Sequence, residues 1–274
     1  MNNRNFSDEE ILSELNNEYE KDFKGWDFSE IEKRMKHLGS LPWDYEADVC
    51  EILKKAESLL DIDTGGGEVL ARMLSKSGFK GDVSAIESYI PNIQVARNCL
   101  NRFNVKVYDA SSSPANFPDD RSDLITDRHG GSLLADELFR ILKPGGWFVT
   151  QQVGDRTNLE LQQLFDVEKP EYGGLPNNKS RLEKALEDAG FDAVEVREHF
   201  YPIRFNDAGV LVYYLKAIPF EVPGFSINQY ADILIELYRQ SMDRGYAIDT
   251  TWHSVFAVAR KPQNNGVGVK CRSK

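Results

Sequence analysis

Seven short apolar runs, held apart by amphipathic stretches, constrain this chain more than any other feature of its sequence. The runs are SLLDID (58–63), DVSAIE (82–87), VKVYDA (105–110), SDLITD (122–127), GWFVTQQ (146–152), AVEVRE (193–198) and WHSVFAVAR (252–260). They are rich in Val, Ile, Leu and aromatic residues, as strands are. Helical spacing occupies 68–77, 91–102, 131–142 and 179–189, and the last two run into the stop signals KPGG and AGF. Strand and helix in alternation predict an α/β domain whose mainly parallel sheet is covered by helices on both faces.

Ahead of this pattern, apolar residues at Ile11, Leu12, Leu15 and Tyr19, then at Ile31, Met35 and Leu38, recur near helical spacing. They predict a helical extension over 1–45, with Asp44 as N-cap of a further helix that carries Val49, Ile52 and Leu53. The main domain is then 46–262, and the tail 263–274 has no apolar periodicity and is expected to be disordered. Within the main domain, 199–248 separates the last two strands by far more than a hairpin requires, so it is expected to be an insertion that closes over substrate.

The triple glycine in DIDTGGGE (61–68) falls where the first strand of the alternation turns into its helix. Ligands of parallel α/β sheets collect at that end, and glycine lets backbone approach them closely. A dinucleotide fingerprint needs Gly or Ala where Leu70 stands, and a phosphate loop needs Gly-Lys-Ser/Thr where Gly67 is followed by Glu68. Both phosphate readings suffer, and a ligand without a pyrophosphate remains. Glu87 closes the second run, 87 − 67 = 20 residues beyond the last glycine, where such folds place a carboxylate on ribose hydroxyls. Asp109 closes the third.

On LLDIDTGGGE, AIES, YDA and LFRILKPGGWFVTQQ, taken in this order and spacing over about residues 55–152, the chain resembles the class I S-adenosylmethionine-dependent methyltransferases. The resemblance implies a Rossmann-like methyltransferase fold with a mainly parallel seven-stranded sheet and an antiparallel last strand. It also implies that Asp61, Asp63, Thr64, Gly65 and Gly67 shape the pocket for S-adenosylmethionine. Glu87 with Ser88 would hold the ribose, Asp109 with Ala110 would meet the adenine, and Asp127 would lie near the methionine end. The chain departs from the family at Asp63, where the first glycine of G-x-G-x-G is usual; Asp tolerates unusual backbone angles better than most residues. Each residue also has a plainer explanation: helix capping for Asp61 and Asp63, a solvated strand end for Glu87, a turn for Asp109. The joint pattern favours the ligand.

A sulfonium donor allows direct displacement, which needs alignment and dryness but neither a metal nor a covalent intermediate. An acceptor that must lose a proton needs a base. His129, in TDRHGG directly after the fourth run, is the candidate, set against the plainer role of a loop histidine bonded to backbone or water. His37 and His199 lie outside the matched stretches, and His253 falls within a strand. Trp26, Trp43, Tyr45 and the aromatic stretch 199–225 are candidates to enclose the acceptor.

A formal net charge of −11, with 13 acids against 6 bases in residues 1–50, leaves only 260–274 as a basic cluster. That balance argues against nucleic acid as partner. Cys50, Cys99 and Cys271 have no C-x-x-C spacing and read as reduced thiols. The N-terminus has no leader-like run, and the most apolar stretch, GVLVYYL (209–215), stops at Lys216, so a cytoplasmic protein without membrane contact is expected. A small-molecule methyltransferase is the leading reading. A ribosomal or transfer RNA methyltransferase and a non-catalytic S-adenosylmethionine-binding protein are its alternatives, and Leu70 disfavours a dehydrogenase. Nothing in the sequence bears on oligomeric state.

Overall fold

A computed structural model describes residues 6–23, 28–109, 117–131, 134–168 and 177–263. Trp26, Ala110, Cys271 and the tail beyond 263 lie outside the described residues. In chain order the elements are α1 (Asp8–Glu20), α2 (Ser29–Glu32), β1 (Met35–His37), α3 (Tyr45–Leu53), β2 (Ser58–Ile62), α4 (Glu68–Ser77), β3 (Asp82–Glu87), α5 (Ile90–Leu100) and β4 (Lys106–Asp109). There follow β5 (Ser122–Arg128), α6 (Ala135–Ile141), β6 (Leu142–Val153), α7 (Leu159–Phe165), α8 (Lys179–Asp188), β7 (Asp192–Phe205), α9 (Ala208–Ala217), α10 (Ala231–Arg244) and β8 (Ile248–Arg260).

The strands form one sheet in the order β1-β7-β8-β6-β5-β2-β3-β4. The last strand thus enters the sheet between β6 and β7. Pairings β2–β3, β2–β5, β3–β4 and β5–β6 are parallel, and β1 pairs with β7 antiparallel. Five-residue β2 is buried throughout, as a central strand with parallel neighbours on both sides must be.

Among the described residues eight strands rather than seven make up the sheet, because 35–37, expected to be helical, pairs with 203–205. A helix there would have aligned Leu38 with Ile31 and Met35, yet Leu38 is exposed while the other two are buried. The short stretch had too few turns for its helical spacing to outweigh pairing with β7. Arg34, just before the strand, holds both Glu18 and Asp207. Asp44 caps α3 as expected, accepting the Ala47 N–H at 3.1 Å.

Contacts divide the chain into two compact units. The first comprises Met1–Pro42, Val153–Gly173 and His199–Ser254, and the second Trp43–Gln152, Gly174–Glu198 and Val255–Lys274. Each has its own core. That of the first gathers Ile11, Leu15, Phe165, Phe205 and the apolar side chains of α9. The GVLVYYL run lies in α9, capped by Asp207 and buried on every side, so its apolarity serves this core. No helix among the described residues is long and apolar enough to cross a membrane. The core of the second unit joins Leu60, Ile62, Ile86, Ile125 and Phe148 from the sheet to Leu182 and Leu186 from α8. The residues that matter below all belong to this second unit.

Candidate functional site

At the carboxyl end of β2 the backbone turns through left-handed conformations at alternate residues: Asp63 (φ 50°), Gly65 (φ 62°) and Gly67 (φ 83°). The Thr64 N–H donates to the Ile86 carbonyl and the Gly67 N–H to the Thr64 carbonyl, both at 3.0 Å, which pins the turn to the end of β3. The two glycines with positive φ serve different ends. A Cβ on Gly67 would stand 2.8 Å from Cγ of the fully buried Leu100, whereas one on Gly65 would meet no atom within 4 Å. Gly67 is a packing necessity, and Gly65 borders open space. Asp63 occupies the left-handed region that Asp enters more readily than most residues. Its carboxylate Oδ2 accepts the Gly131 N–H at 2.9 Å.

Glu87, at the end of β3, reaches back over this turn. Its Oε2 accepts the Gly65 N–H and its Oε1 the Tyr89 N–H, each at 2.7 Å. The side chain is buried, and desolvation raises its pKa despite these backbone donors. Each carboxylate oxygen keeps a further lone pair. Asp109 stands opposite Glu87 in the β3–β4 register, but it and Ser88 are exposed.

A second turn follows β5. Asp127 is buried; its Oδ1 accepts the Gly130 N–H at 3.1 Å and its Oδ2 the Gln152 side-chain amide at 3.0 Å. A Cβ on Gly130 would stand 2.3 Å from Asp127 Oδ1 and 2.7 Å from Asp63 Oδ2, so only glycine lets both carboxyls close on the turn. His129 is again left-handed (φ 61°), its N–H donating to the Gln151 carbonyl at 2.9 Å. Asp61 lies beside Thr126 in the β2–β5 register and accepts its hydroxyl at 2.6 Å.

Asp61, Asp63 and Asp127 thus crowd the ends of two paired strands. Desolvation, reinforced at Asp61 and Asp127 by neighbouring carboxylates, raises all three, Asp61 to about 6 and Asp127 well above the usual range. His129 moves the other way: surrounding protein mass and the positive Arg128 push its imidazole down, toward the neutral form. The residue as a whole is exposed.

The structure therefore gathers Asp61, Asp63, Thr64, Gly65, Gly67, Glu87, Asp127 and His129 at the carboxyl ends of β2, β3 and β5. Asp109 and Ser88 sit at the exposed margin. His253 lies in the other unit, where its Nδ1 accepts the Arg156 N–H at 3.3 Å and lies 3.6 Å from Asp155. Sequence reasoning missed Gly130, Gln152 and Arg128. All three lie inside the motifs TDRHGG and GWFVTQQ, but only the fold shows that Gly130 and Gln152 close on Asp127.

The sheet order and the glycine turn at its centre define the class I methyltransferase fold. A Bacillus halodurans protein assigned as a methyltransferase superposes with a TM-score of 0.53 at 18% identity, over 79% of this chain and all of its own. YcgJ from Bacillus subtilis gives a TM-score of 0.55 at 16% identity, over 80% of this chain and 98% of its own. In sequence, the chain is 25% identical over 154 residues to the ubiquinone/menaquinone biosynthesis C-methyltransferase UbiE of Psychromonas ingrahamii. That match covers 51% of this chain and 61% of the relative's length. No protein-family model matches the chain.

Proposed function

We propose that this protein transfers a methyl group from S-adenosylmethionine to a small organic acceptor by direct displacement, releasing S-adenosylhomocysteine. The observation that carries this reading is the closure of Glu87 onto Gly65 at 2.7 Å, beside open space where a side chain at Gly65 would stand. A buried carboxylate with spare lone pairs over a glycine cradle fits a ribose diol. The similarity to a quinone-pathway C-methyltransferase supports a small-molecule acceptor.

The donor supplies a methyl group activated on a cationic sulfur. Around it, Gly65 and Gly67 shape the floor and Thr64 fixes the turn. Glu87, with Ser88 beside it, takes the ribose hydroxyls, each charged hydrogen bond contributing roughly 1.5–3 kcal/mol. Asp109 borders the adenine. Asp61, Asp63 and Asp127 face the cationic methionine end, where a positive group offsets the mutual repulsion that burial of three carboxyls creates. His129, held neutral, takes the proton of the acceptor as the methyl group arrives.

Calorimetry with S-adenosylmethionine, followed by labelled-methyl transfer to a panel of phenols, quinols and amines, tests the reading. Saturable binding with transfer to at least one acceptor is expected. Absence of binding at millimolar donor would overturn it. His129→Ala should lower turnover by roughly 10²-fold or more while the donor dissociation constant stays within about twofold. Unchanged turnover would remove His129 from the mechanism.

A further inference from the structure

In the first unit a buried imidazole holds up an exposed aromatic ring. His253, in β8, is fully buried, and the loop after β6 is built around it. A Cβ on Gly154 would stand 1.9 Å from its Nδ1, so only glycine fits there. The Gly154 N–H and the Thr157 hydroxyl both donate to the His253 carbonyl, at 2.7 and 3.1 Å, and the same hydroxyl accepts the His253 N–H at 3.1 Å. Because Nδ1 accepts the Arg156 N–H, the imidazole is neutral and carries its proton on Nε2.

Phe200 lies flat on this imidazole, the ring centroids 4.2 Å apart and the planes 10° from parallel. One face of the phenyl ring is thereby used, yet the residue is 38% exposed, so its opposite face and edge meet solvent. Alternation along β7 puts Phe200 and Pro202 on the side away from the core residues Tyr201, Ile203 and Phe205. Leu38, 45% exposed, lies on that side too: its N–H donates to the Pro202 carbonyl at 2.9 Å, and it stands two residues beyond Lys36, which pairs with Arg204. The Arg156 guanidinium is 5.9 Å from the Phe200 centroid and forms neither a hydrogen bond nor an ion pair with a described residue. Scattered apolar side chains on a surface need no explanation. An exposed ring fixed against a buried polar one, beside an obligatory glycine, does.

We propose that the outer face of Phe200, bordered by Leu38, Pro202 and Arg156, is a subsite for a flat, neutral, electron-rich ring of the phenol type. Such a ring stacks on a phenyl face that His253 already holds in place, so little side-chain freedom is lost on binding. The guanidinium beside it attracts a π-rich ring. A carboxylate-bearing ring is disfavoured, because the first unit holds 12 Lys/Arg against 21 Asp/Glu, a net 12 − 21 = −9 of the chain's −11. The subsite stands on the first unit alone and goes beyond the methyl-donor reading without depending on it.

The test uses the full chain and two probes of one outline, flat 4-methylphenol and puckered 4-methylcyclohexanol, with dissociation constants from calorimetry. Wild type should bind the flat probe more tightly, by roughly three- to tenfold. Phe200→Leu keeps apolar area without a flat face and should bring that ratio near one, whereas Phe200→Tyr should keep it. Arg156→Gln should weaken 4-methylphenol by roughly two- to fivefold. The same ratio in wild type and Phe200→Leu, absence of saturable 4-methylphenol binding, or tighter binding of 4-methylbenzoate than of 4-methylphenol overturns the proposal. Melting curves check folding; should Phe200→Leu not fold, the wild-type ratio and the loss in Arg156→Gln decide, and either one missing overturns the subsite. S-adenosylhomocysteine titrated into the same proteins reports on the methyl-donor reading separately. Wild type that binds 4-methylphenol with the expected ratio but not S-adenosylhomocysteine upholds the subsite and sinks that reading.

Discussion

The turn after β2 and the turn after β5 share a backbone device and differ in what they leave free. Each bends at a polar residue with positive φ, Asp63 in one and His129 in the other, and each receives a carboxylate on a glycine N–H. In the first turn the backbone is spoken for, with the Thr64 N–H bonded to Ile86, the Gly65 N–H to Glu87 and Gly67 packed on Leu100, while the buried Thr64 hydroxyl has no hydrogen-bond partner among the described residues. In the second, Arg128 and His129 present side chains that engage no described residue through hydrogen bonds or ion pairs. A saturated turn holds a ligand in one place. An unsaturated one keeps donors and a base in reserve for groups that arrive with the ligand.

The comparison breaks most severely at Gly67. Gly67→Ala would place a left-handed alanine, at roughly 1–2 kcal/mol, and a Cβ 2.8 Å from a buried leucine, at roughly 1–3 kcal/mol of overpacking. A loss of about 2–5 kcal/mol is expected in urea unfolding. Gly65→Ala, facing open space, should lose only the backbone part and lower donor affinity instead. Equal destabilisation by the two would show that Gly65 is not at the ligand.

Next in size is Glu87→Ala. Donor affinity should fall by about 1.5–3 kcal/mol, read by calorimetry, because the charged acceptor of the ribose disappears. An unchanged dissociation constant would refute the ribose role and leave Glu87 as a brace for Gly65.

Asp61 sharpens the contrast through pH. Its folded pKa, raised to about 6 by burial, lies above the ordinary unfolded value near 3.9. The native state therefore binds more protons, and stability from this group declines as pH rises from about 4 through about 6. Asp61→Asn, which still accepts from Thr126 through Oδ1, should flatten that decline. At pH 7.5 the ligand-free variant should be the more stable by on the order of 1–2 kcal/mol, with Asp63 and Asp127 sharing part of the repulsion. Unfolding curves at pH 4.5, 6 and 7.5 with the same slope in both proteins would contradict the shift.

The first turn was far more legible in the sequence than the second. Glycine runs and a carboxylate 20 residues later (87 − 67) are local signals, and the strands at 58–63, 82–87 and 122–127 were recognisable because buried parallel strands are continuously apolar. The work of Gly130 and Gln152 depends on two strands that meet only in the sheet, so their residue types alone said little. Tyr45 read as an aromatic face enclosing the acceptor; that its hydroxyl is buried shows only when α3 is laid on β5. The strand at 35–37 escaped because its partner lies at 203–205, its central pair Lys36 and Arg204 being 204 − 36 = 168 residues apart. Short-range spacing carries no trace of such pairing.

Asp63→Gly gives the smallest expected effect on stability and the finest test of the first turn. The change restores the family's usual glycine and removes the modest strain of a left-handed non-glycine residue. It also removes a partly buried carboxyl whose charge burial disfavours. Against this stand the loss of the bond to the exposed Gly131 N–H, on the order of 1 kcal/mol, and the added freedom of glycine in the unfolded chain, roughly 0.5–1 kcal/mol. The opposing contributions nearly cancel, and unfolding free energy should move by less than about 1 kcal/mol. Donor binding need not follow. If Asp63 faces the methionine ammonium, affinity for S-adenosylhomocysteine should drop while that for 5′-methylthioadenosine holds. Should both stay constant, Asp63 is a tie between the two turns and nothing more, and the ammonium rests on Asp61 and Asp127.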